Sequence, residues 1–213
     1  YLPLYNGVTS VEIGIPKANF LAQPPAYDEA HAKPVVFYGT SICQGGCASR
    51  PGMVHTAILG RWLQRPVINL GFSGNGRMEK EVAELMAELD PACFVIDCLP
   101  NIGAKEVEER TATLVKILRE AHPKTPILLV EDRNYTDSFF NSGKRERNDS
   151  SQAALRKEFE KLQAAGVEHL YYLEVKDLLG DDGEGTVDSS HPTDLGFMRQ
   201  AEAFYKVLAK ILK

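Results

Sequence analysis

Ser41 stands two residues beyond Gly39, the glycine that closes the apolar run Val35-Val-Phe-Tyr38, and a Gly-rich stretch ending in Gly45-Gly46 follows it. A serine hydroxyl is a weak nucleophile at neutral pH and attacks only when an adjacent base takes its proton. His191 is the candidate base. Asp188 lies three residues upstream in Asp188-Ser-Ser-His191, a spacing that lets the carboxylate accept from imidazole Nδ1–H and leaves Nε2 free for the serine. Gly74 in Gly71-Phe-Ser-Gly-Asn-Gly76 and Asn101 after Pro100 are candidate donors to a developing oxyanion, with the backbone N–H of Ser41 as the third. Such donors must stand about 3 Å from the alkoxide. Glycine lets a backbone N–H approach closely, and asparagine offers a side-chain N–H without a charge that would pair with His191. Nucleophile, base, orienting acid and oxyanion donors together are the kit for acyl transfer. Each also has a plain structural use: Ser41 as a cap, Gly74 and Asn101 as turn formers, Asp188 and Ser189 as caps before the last helix.

Only a fold can gather residues so far apart. From Pro34 onward strand-like and helix-like segments alternate. Short apolar runs at Val35–Tyr38, Val67–Leu70, Cys93–Leu99, Ile127–Val130 and Leu170–Leu173 read as buried parallel strands. Between them, helical spacing marks Met53 to Leu63, then Val82, Leu85, Met86 and Leu89, then Val107, Thr111, Leu114 and Leu118, then Leu155, Phe159 and Leu162. A last amphipathic helix carries Phe197, Ala201, Phe204, Leu208 and Ile211. Repeated β-α units predict an α/β fold, a three-layer α/β/α sandwich around a five-stranded parallel sheet. Ligands of such sheets bind at the carboxyl ends of the strands, where Ser41, Gly74, Asn101 and the Asp188–His191 loop all fall. Asp97, which ends strand three, and Glu131-Asp132-Arg133, after strand four, reach the same edge; Asp97 and Glu131 are candidates for substrate or supporting contacts. Tyr135, Phe139 and Phe140 lie in a loop beyond them, with Tyr135 a third such candidate, and Lys144-Arg-Glu-Arg147 after them reads as a solvated turn.

Residues 1–33 differ from the rest. Leu2–Tyr5 and Val8–Ile15 around Asn6-Gly7 predict two short strands and a turn, followed by a Pro-rich connector ending at Lys33-Pro34. A lone hairpin is marginal in water, so this segment is expected to pack on something, such as an upstream β domain of which it would be the tail. The division expected is 1–33 as β segment and connector, and 34–213 as the main domain. The chain begins with Tyr1 and is expected to be a mature or trimmed fragment. Its 213 residues, 44% hydrophobic and 25% charged, suffice for a core that needs neither metal nor disulfide to fold. A net charge of −5 gives no general footprint for nucleic acid or anionic membrane, and the apolar runs are only strand-length. Of four cysteines, Cys93 and Cys98 are separated by roughly 16 Å along a strand and cannot bridge. Cys43 and Cys47 sit in the Gly-rich loop, neither pair has zinc-site spacing, and free thiols are expected. The other histidines, His31, His55, His122 and His169, read as structural or solvated.

Four blocks in order, Gly39-Thr-Ser41-Ile, Ser73-Gly-Asn75, Pro100-Asn101 and Asp188-x-x-His191, resemble those of the SGNH (GDSL-type) hydrolases, over roughly Pro34 to the C-terminus. Gly45-Gly-Cys-Ala-Ser-Arg-Pro-Gly52 looks like a bacterial subgroup in which a small β domain precedes the hydrolase. Two positions depart from the family pattern: Thr40 replaces the usual Asp, and Pro-Asn stands for Gly-x-Asn-Asp. The resemblance implies a flavodoxin-like sheet and a serine esterase with Ser41 as nucleophile, Asp188 and His191 as the rest of the triad, and Ser41, Gly74 and Asn101 as the oxyanion hole. The order Ser…Asp…His fits this family and not chymotrypsin-like or subtilisin-like enzymes. No cofactor is implied. The expected substrate is a small acyl ester, acetyl on carbohydrate by resemblance, and the expected location periplasmic or secreted. Rival readings are a lipase or thioesterase acting on longer acyl chains, a Cys43–His191 thiol enzyme, a carbohydrate-binding module on the same fold, and a nucleotide- or flavin-binding protein. The last lacks any phosphate-loop or dinucleotide motif near Gly39–Gly46.

Overall fold

The five apolar runs form five parallel strands: β1 Val35–Gly39, β2 Val67–Gly71, β3 Cys93–Asp97, β4 Ile127–Val130 and β5 Leu170–Leu173. The structure, a computed structural model, describes residues 1–176 and 178–212. Strand order is β2-β1-β3-β4-β5, with Val35 beside both Val67 and Cys93. The three central strands are buried along their whole length, which explains their unbroken apolar runs; the edge strand β2 is half-exposed and carries Asn69. Alternate side chains serve two cores. Val36, Tyr38, Phe94 and Ile96 face α3 (Lys80–Met86), α4 (Ala104–Ala121) and α5 (Ser142–Ala164). Val35, Phe37, Cys93 and Val95 face α2 (His55–Leu63) and α6 (Asp194–Ile211). The three-layer expectation holds. The order reverses between β1 and β3, so a crevice opens beyond their carboxyl ends, and the one-turn helix α1 (Ser41–Gln44) starts there.

Helix α2 starts at His55 and not at Met53, and α3 ends at Met86, short of Leu89; three further differences from the sequence expectation bear on the site. Strand β3 stops at Asp97, because Pro100 lacks an N–H for the ladder and Leu99–Asn101 turns into a 3-10 helix. Helix α5 begins at Ser142, with the Asn141 side chain capping Lys144 N at 3.2 Å, so Lys144–Arg147 is helix and not a solvated turn. Its first turns pack through charge pairs rather than apolar contacts, which is why no hydrophobic period announces them. The third difference is the N-terminus: residues 1–33 contain no strand. Val11, Ile13 and Ile15 are exposed, and the backbone hydrogen bonds here are local, Asn19 N to Pro16 O and His31 N to Asp28 O. A two-stranded ribbon with no sheet to lie on does not sustain itself. Instead Leu4 packs on Ile42, Val54 and Phe197, its carbonyl accepts from Gln44 Nε2 at 3.0 Å, and buried Arg65 holds the connector through Ala30 O (2.6 Å) and Lys33 O (2.8 Å).

The layer between α2 and α6 is aromatic. Trp62, the one tryptophan, meets Tyr205 edge-on at 5.8 Å. Deeper in, His55 is fully buried, stacked on Phe197 and Phe204 and edge-on to Phe37, with neither ring nitrogen partnered among the described residues. Burial, and secondarily the Arg133 charge, hold its pKa well below the usual 6.5. The unfolded chain therefore binds a proton that the folded one refuses, and stability is lost as pH falls below about 6.5. Asp132 acts oppositely: burial raises it to about 6 against the pull of Arg147 and Arg133, so its contribution declines as pH rises toward that value. A comparison with His55→Phe, in which Asp132 is common to both proteins, isolates the histidine. Urea unfolding is expected to show wild type losing about 1 kcal/mol relative to His55→Phe between pH 7.5 and 5.5; a difference that stays flat with pH would refute the neutral buried imidazole.

Candidate active site

Strand β1 ends against β3 so closely that a Cβ at Gly39 would lie 2.6 Å from Cys43 Cβ and 2.7 Å from Asp97 O; only glycine fits. Thr40 then caps α1, its hydroxyl accepting from Ile42 N at 3.3 Å. Ser41 is thus the first residue of α1, where backbone N–H groups have no partner inside the helix. Its Oγ lies 2.8 Å from His191 Nε2. His191 Nδ1 lies 2.7 Å from Asp188 Oδ2, while Asp188 Oδ1 accepts from His191 N at 2.7 Å and Ser190 N at 3.0 Å. Partial burial raises the Asp188 pKa, but these hydrogen bonds outweigh it and hold the carboxyl below its ordinary value. An ionised Asp188 fixes the imidazole with its proton on Nδ1, so Nε2 accepts from the serine.

The oxyanion candidates come from the neighbouring strand ends. Asn75 N bonds to Phe72 O at 2.9 Å, closing a turn in which Gly74 has φ +71°. Nothing lies within 4 Å of where a Gly74 Cβ would be, so glycine is required there by the left-handed backbone and not by close approach. The Gly74 N–H is not spent on that turn, and Arg77 holds the Gly74 carbonyl at 3.1 Å. Asn101 Nδ2 donates to Asn75 O at 2.6 Å, which ties the loops after β2 and β3 together and leaves its second amide hydrogen for a ligand.

The remaining candidates do structural work. Asp97 is buried in a two-pronged pair with Arg133, which also reaches Gln200 at 2.7 Å. Glu131 is buried as well: it accepts from Tyr172 Oη and Val175 N at 2.7 Å and pairs with Arg156 at 2.8 Å, locking β4 to the edge strand β5. Both carboxylates are occupied by these structural partners, the supporting alternative of the expectation. Tyr135 is half-buried between Lys144 and Arg147. The Cys43–His191 alternative also falls, since Cys43 is fully buried against Asn69 and both burial and Asp97 raise its pKa well above normal. All four cysteines are free thiols. Asp28 and His31 repeat the Asp-x-x-His spacing, with His31 Nδ1 2.6 Å from Asp28 Oδ1, so the spacing alone does not single out a catalytic histidine; the serine facing His191 does.

Sequence reasoning missed several residues around the site. Tyr5 Oη donates to Ser41 O at 3.3 Å. A methyl on Gly46 would sit 2.9 Å from Tyr5 Oη and 3.5 Å from His191 Cδ2, so Gly46 leaves an opening between phenol and imidazole. Gln44 bridges Leu4 O and Ser73 N, the latter at 2.9 Å. No local signal in residues 1–5 announces this role, because it depends on a contact across the fold. A cavity of about 940 Å³ lies between Tyr1, Leu2, Leu4 and the β2 edge and is lined by none of Ser41, Asp188 and His191. Among the described residues no His, Cys, Asp and Glu cluster could hold a metal, and no helix is long and apolar enough to cross a membrane.

Comparison with known proteins gives a family match over residues 32–209, to the GDSL-like lipase/acylhydrolase family. A Bacteroides ovatus structure carrying only the designation GDSL-like lipase is 43% identical, covers 86% of this chain and 54% of its own, and superposes with a TM-score of 0.83. The salicylyl-acyltransferase SsfX3 of a tetracycline biosynthetic pathway is 22% identical over 84% of this chain and 55% of its own, at a TM-score of 0.72. A family two carbohydrate esterase from Clostridium thermocellum, solved with cellohexaose, is 16% identical over 89% of this chain and 66% of its own, at 0.69. The last two share the fold. This chain spans about half the length of the first two structures. No functionally curated protein matches it.

Proposed function

The chain belongs to the GDSL-like lipase/acylhydrolase family, and from that premise we propose that it is a serine esterase that removes small acyl groups from a polar alcohol, of which a carbohydrate is the best candidate. The observation that carries the reading is the unbroken line from Ser41 Oγ to His191 Nε2 (2.8 Å) and from His191 Nδ1 to Asp188 (2.7 Å). In the proposed cycle Ser41 Oγ attacks the ester carbonyl while His191 Nε2 takes its proton. The carbonyl electrons move onto oxygen, where Ser41 N–H, Gly74 N–H and the free Asn101 N–H receive them. Collapse of this intermediate breaks the bond to the alcohol oxygen, which takes the proton from His191 and departs. Water, deprotonated by His191, then attacks the acyl-enzyme, and a second collapse breaks the bond from the acyl carbon to Ser41 Oγ, which takes the proton back from His191 as the carboxylic acid leaves.

Support for a small acyl group and a polar alcohol comes from the setting. Ser73, Asn75, Asn101 and Ser190, half-buried or exposed, lie on the loops that carry Gly74, Asn101 and His191, and suit a polyhydroxylated partner better than a fatty chain. One feature favours a second reading. Phe139 and Phe140, 78% and 71% exposed, meet edge-on on a loop tied to the acid–base turn by Thr136 N to Ser189 O at 3.0 Å, and could grip a longer or aromatic acyl group. Hydrolysis of p-nitrophenyl acetate, butyrate and octanoate separates the two. The proposed function predicts kcat/KM falling about tenfold or more from acetate to octanoate, each lost pair of methylene contacts being worth about 1–2 kcal/mol only where an apolar pocket exists. A rise with chain length would favour the lipase-type alternative, and release of acetate from acetylated oligosaccharides then tests the alcohol.

A further inference from the structure

We propose that Lys144 and Arg147, one turn apart at the start of α5, are positioning residues that hold the acid–base turn and the Asn101 donor at a fixed separation across Ser41; the inference rests on the acyl-transfer reading above. Arg147 Nη2 lies 2.7 Å from Pro100 O, 3.2 Å from Leu99 O and 3.4 Å from Ile102 O, carbonyls on both sides of Asn101. Leu99 O also accepts from Ile102 N at 3.2 Å within the 3-10 turn, and the two hydrogens of one guanidinium nitrogen are shared among the three carbonyls around it. Its other arm pairs with Asp132 Oδ2 at 2.8 Å. Asp132 is buried at the end of β4 and also accepts from Asn148 Nδ2 at 3.0 Å. The Asn101 loop, which leaves β3 at Asp97, is thereby referred to β4 and α5.

Lys144 does the equivalent for the opposite wall. Its Nζ lies 2.7 Å from Ser189 Oγ and 2.6 Å from Asp137 Oδ2. Ser189, next to Asp188, has φ +74°, a left-handed conformation that serine adopts at a cost; the lysine bond and Thr136 N to Ser189 O hold it there. The Tyr135 ring fills the space between the two cations, 5.0 Å from Lys144 Nζ and 5.8 Å from Arg147 Cζ, and its backbone N donates to Asn148 Oδ1 at 3.0 Å. The cations' hydrogen bonds go to these supports and not to Ser41 Oγ or the imidazole, so they act through Asn101 and Asp188. A displacement of about 1 Å in such groups costs on the order of 100-fold.

Double-mutant cycles with p-nitrophenyl acetate test this. Arg147→Met is expected to lower kcat about 10- to 100-fold with KM changed less than about threefold, yet to cost less than about threefold when Asn101 is already Ala. Lys144→Met should show the same non-additivity with Asp188→Asn, while Lys144→Met and Asn101→Ala multiply. Arg147→Lys keeps a charge beside Asp132, which protects the fold, but its single nitrogen cannot serve Asp132 and the Asn101 loop at once as the two guanidinium nitrogens do; it should retain the wild-type melting temperature and show most of the kcat loss. Losses that multiply in the Arg147–Asn101 and Lys144–Asp188 cycles, or wild-type kcat in Arg147→Lys, would overturn the positioning role alone. Undiminished kcat in Asn101→Ala would instead remove the oxyanion assignment and the Arg147 role with it.

Discussion

Ser41→Ala is expected to abolish p-nitrophenyl acetate turnover to within the residual that bound oxyanion donors supply, a fall in kcat of about 10⁴-fold or more. The substitution is structurally mild. Alanine is the best helix former, Thr40 still caps α1, and the hydroxyl's hydrogen-bond partner is His191. Loss of activity with an unchanged melting temperature therefore reports chemistry. Activated esters are also hydrolysed slowly by protein surfaces, so the variant is the control for wild type. A phosphonate ester should label Ser41 once per chain in wild type and not at all in Ser41→Ala, read by mass spectrometry of the intact protein. Equal turnover in the two proteins would end the case for Ser41 as nucleophile and favour a carbohydrate-binding protein on the same fold.

Asp188→Asn is expected to lower kcat about 10³- to 10⁴-fold with little change in KM. The geometry gives the reason. Asp188 Oδ1 accepts two backbone N–H groups and Oδ2 accepts the imidazole Nδ1–H. An asparagine keeps its carbonyl oxygen on the backbone pair, which places the amide NH₂ toward Nδ1. Nδ1 must then accept, the ring proton moves to Nε2, and Nε2 faces Ser41 as a donor that cannot take the serine proton. The turn survives while the tautomer is wrong. A loss below about tenfold in steady-state kcat would mean that Asp188 shapes the turn without serving the histidine.

The strands were legible because the central three are buried on both faces, so their sequences are unbroken apolar runs. Ser41, Gly74, Asn101 and the Asp188–His191 pair could be located because the topology sends the ends of β1, β2 and β3 to one crevice. What escaped was whatever depends on contacts between distant side chains. Lys144 and Arg147 belong to helical turns that pack by charge, and polar turns have no period to read. Tyr5 sits in a segment whose alternation suggested a hairpin, yet its position is decided by Leu4 packing on Ile42 and Val54. Glu131 reached the expected edge but β5 claims it, since a buried carboxylate there is satisfied by Tyr172, Val175 and Arg156.

The single tryptophan has an optical consequence. Trp62 lies on α2 against Tyr205 of α6, in the layer that also contains His55, Phe197 and Phe204, and none of the loops carrying Ser41, Gly74, Asn101 or His191 includes an indole. Intrinsic emission is thus a reporter of one layer: it follows the parting of α2 from α6 during unfolding, the event that exposes His55 to protons, while occupancy of the crevice has to be read by an added chromophore or by the reaction itself.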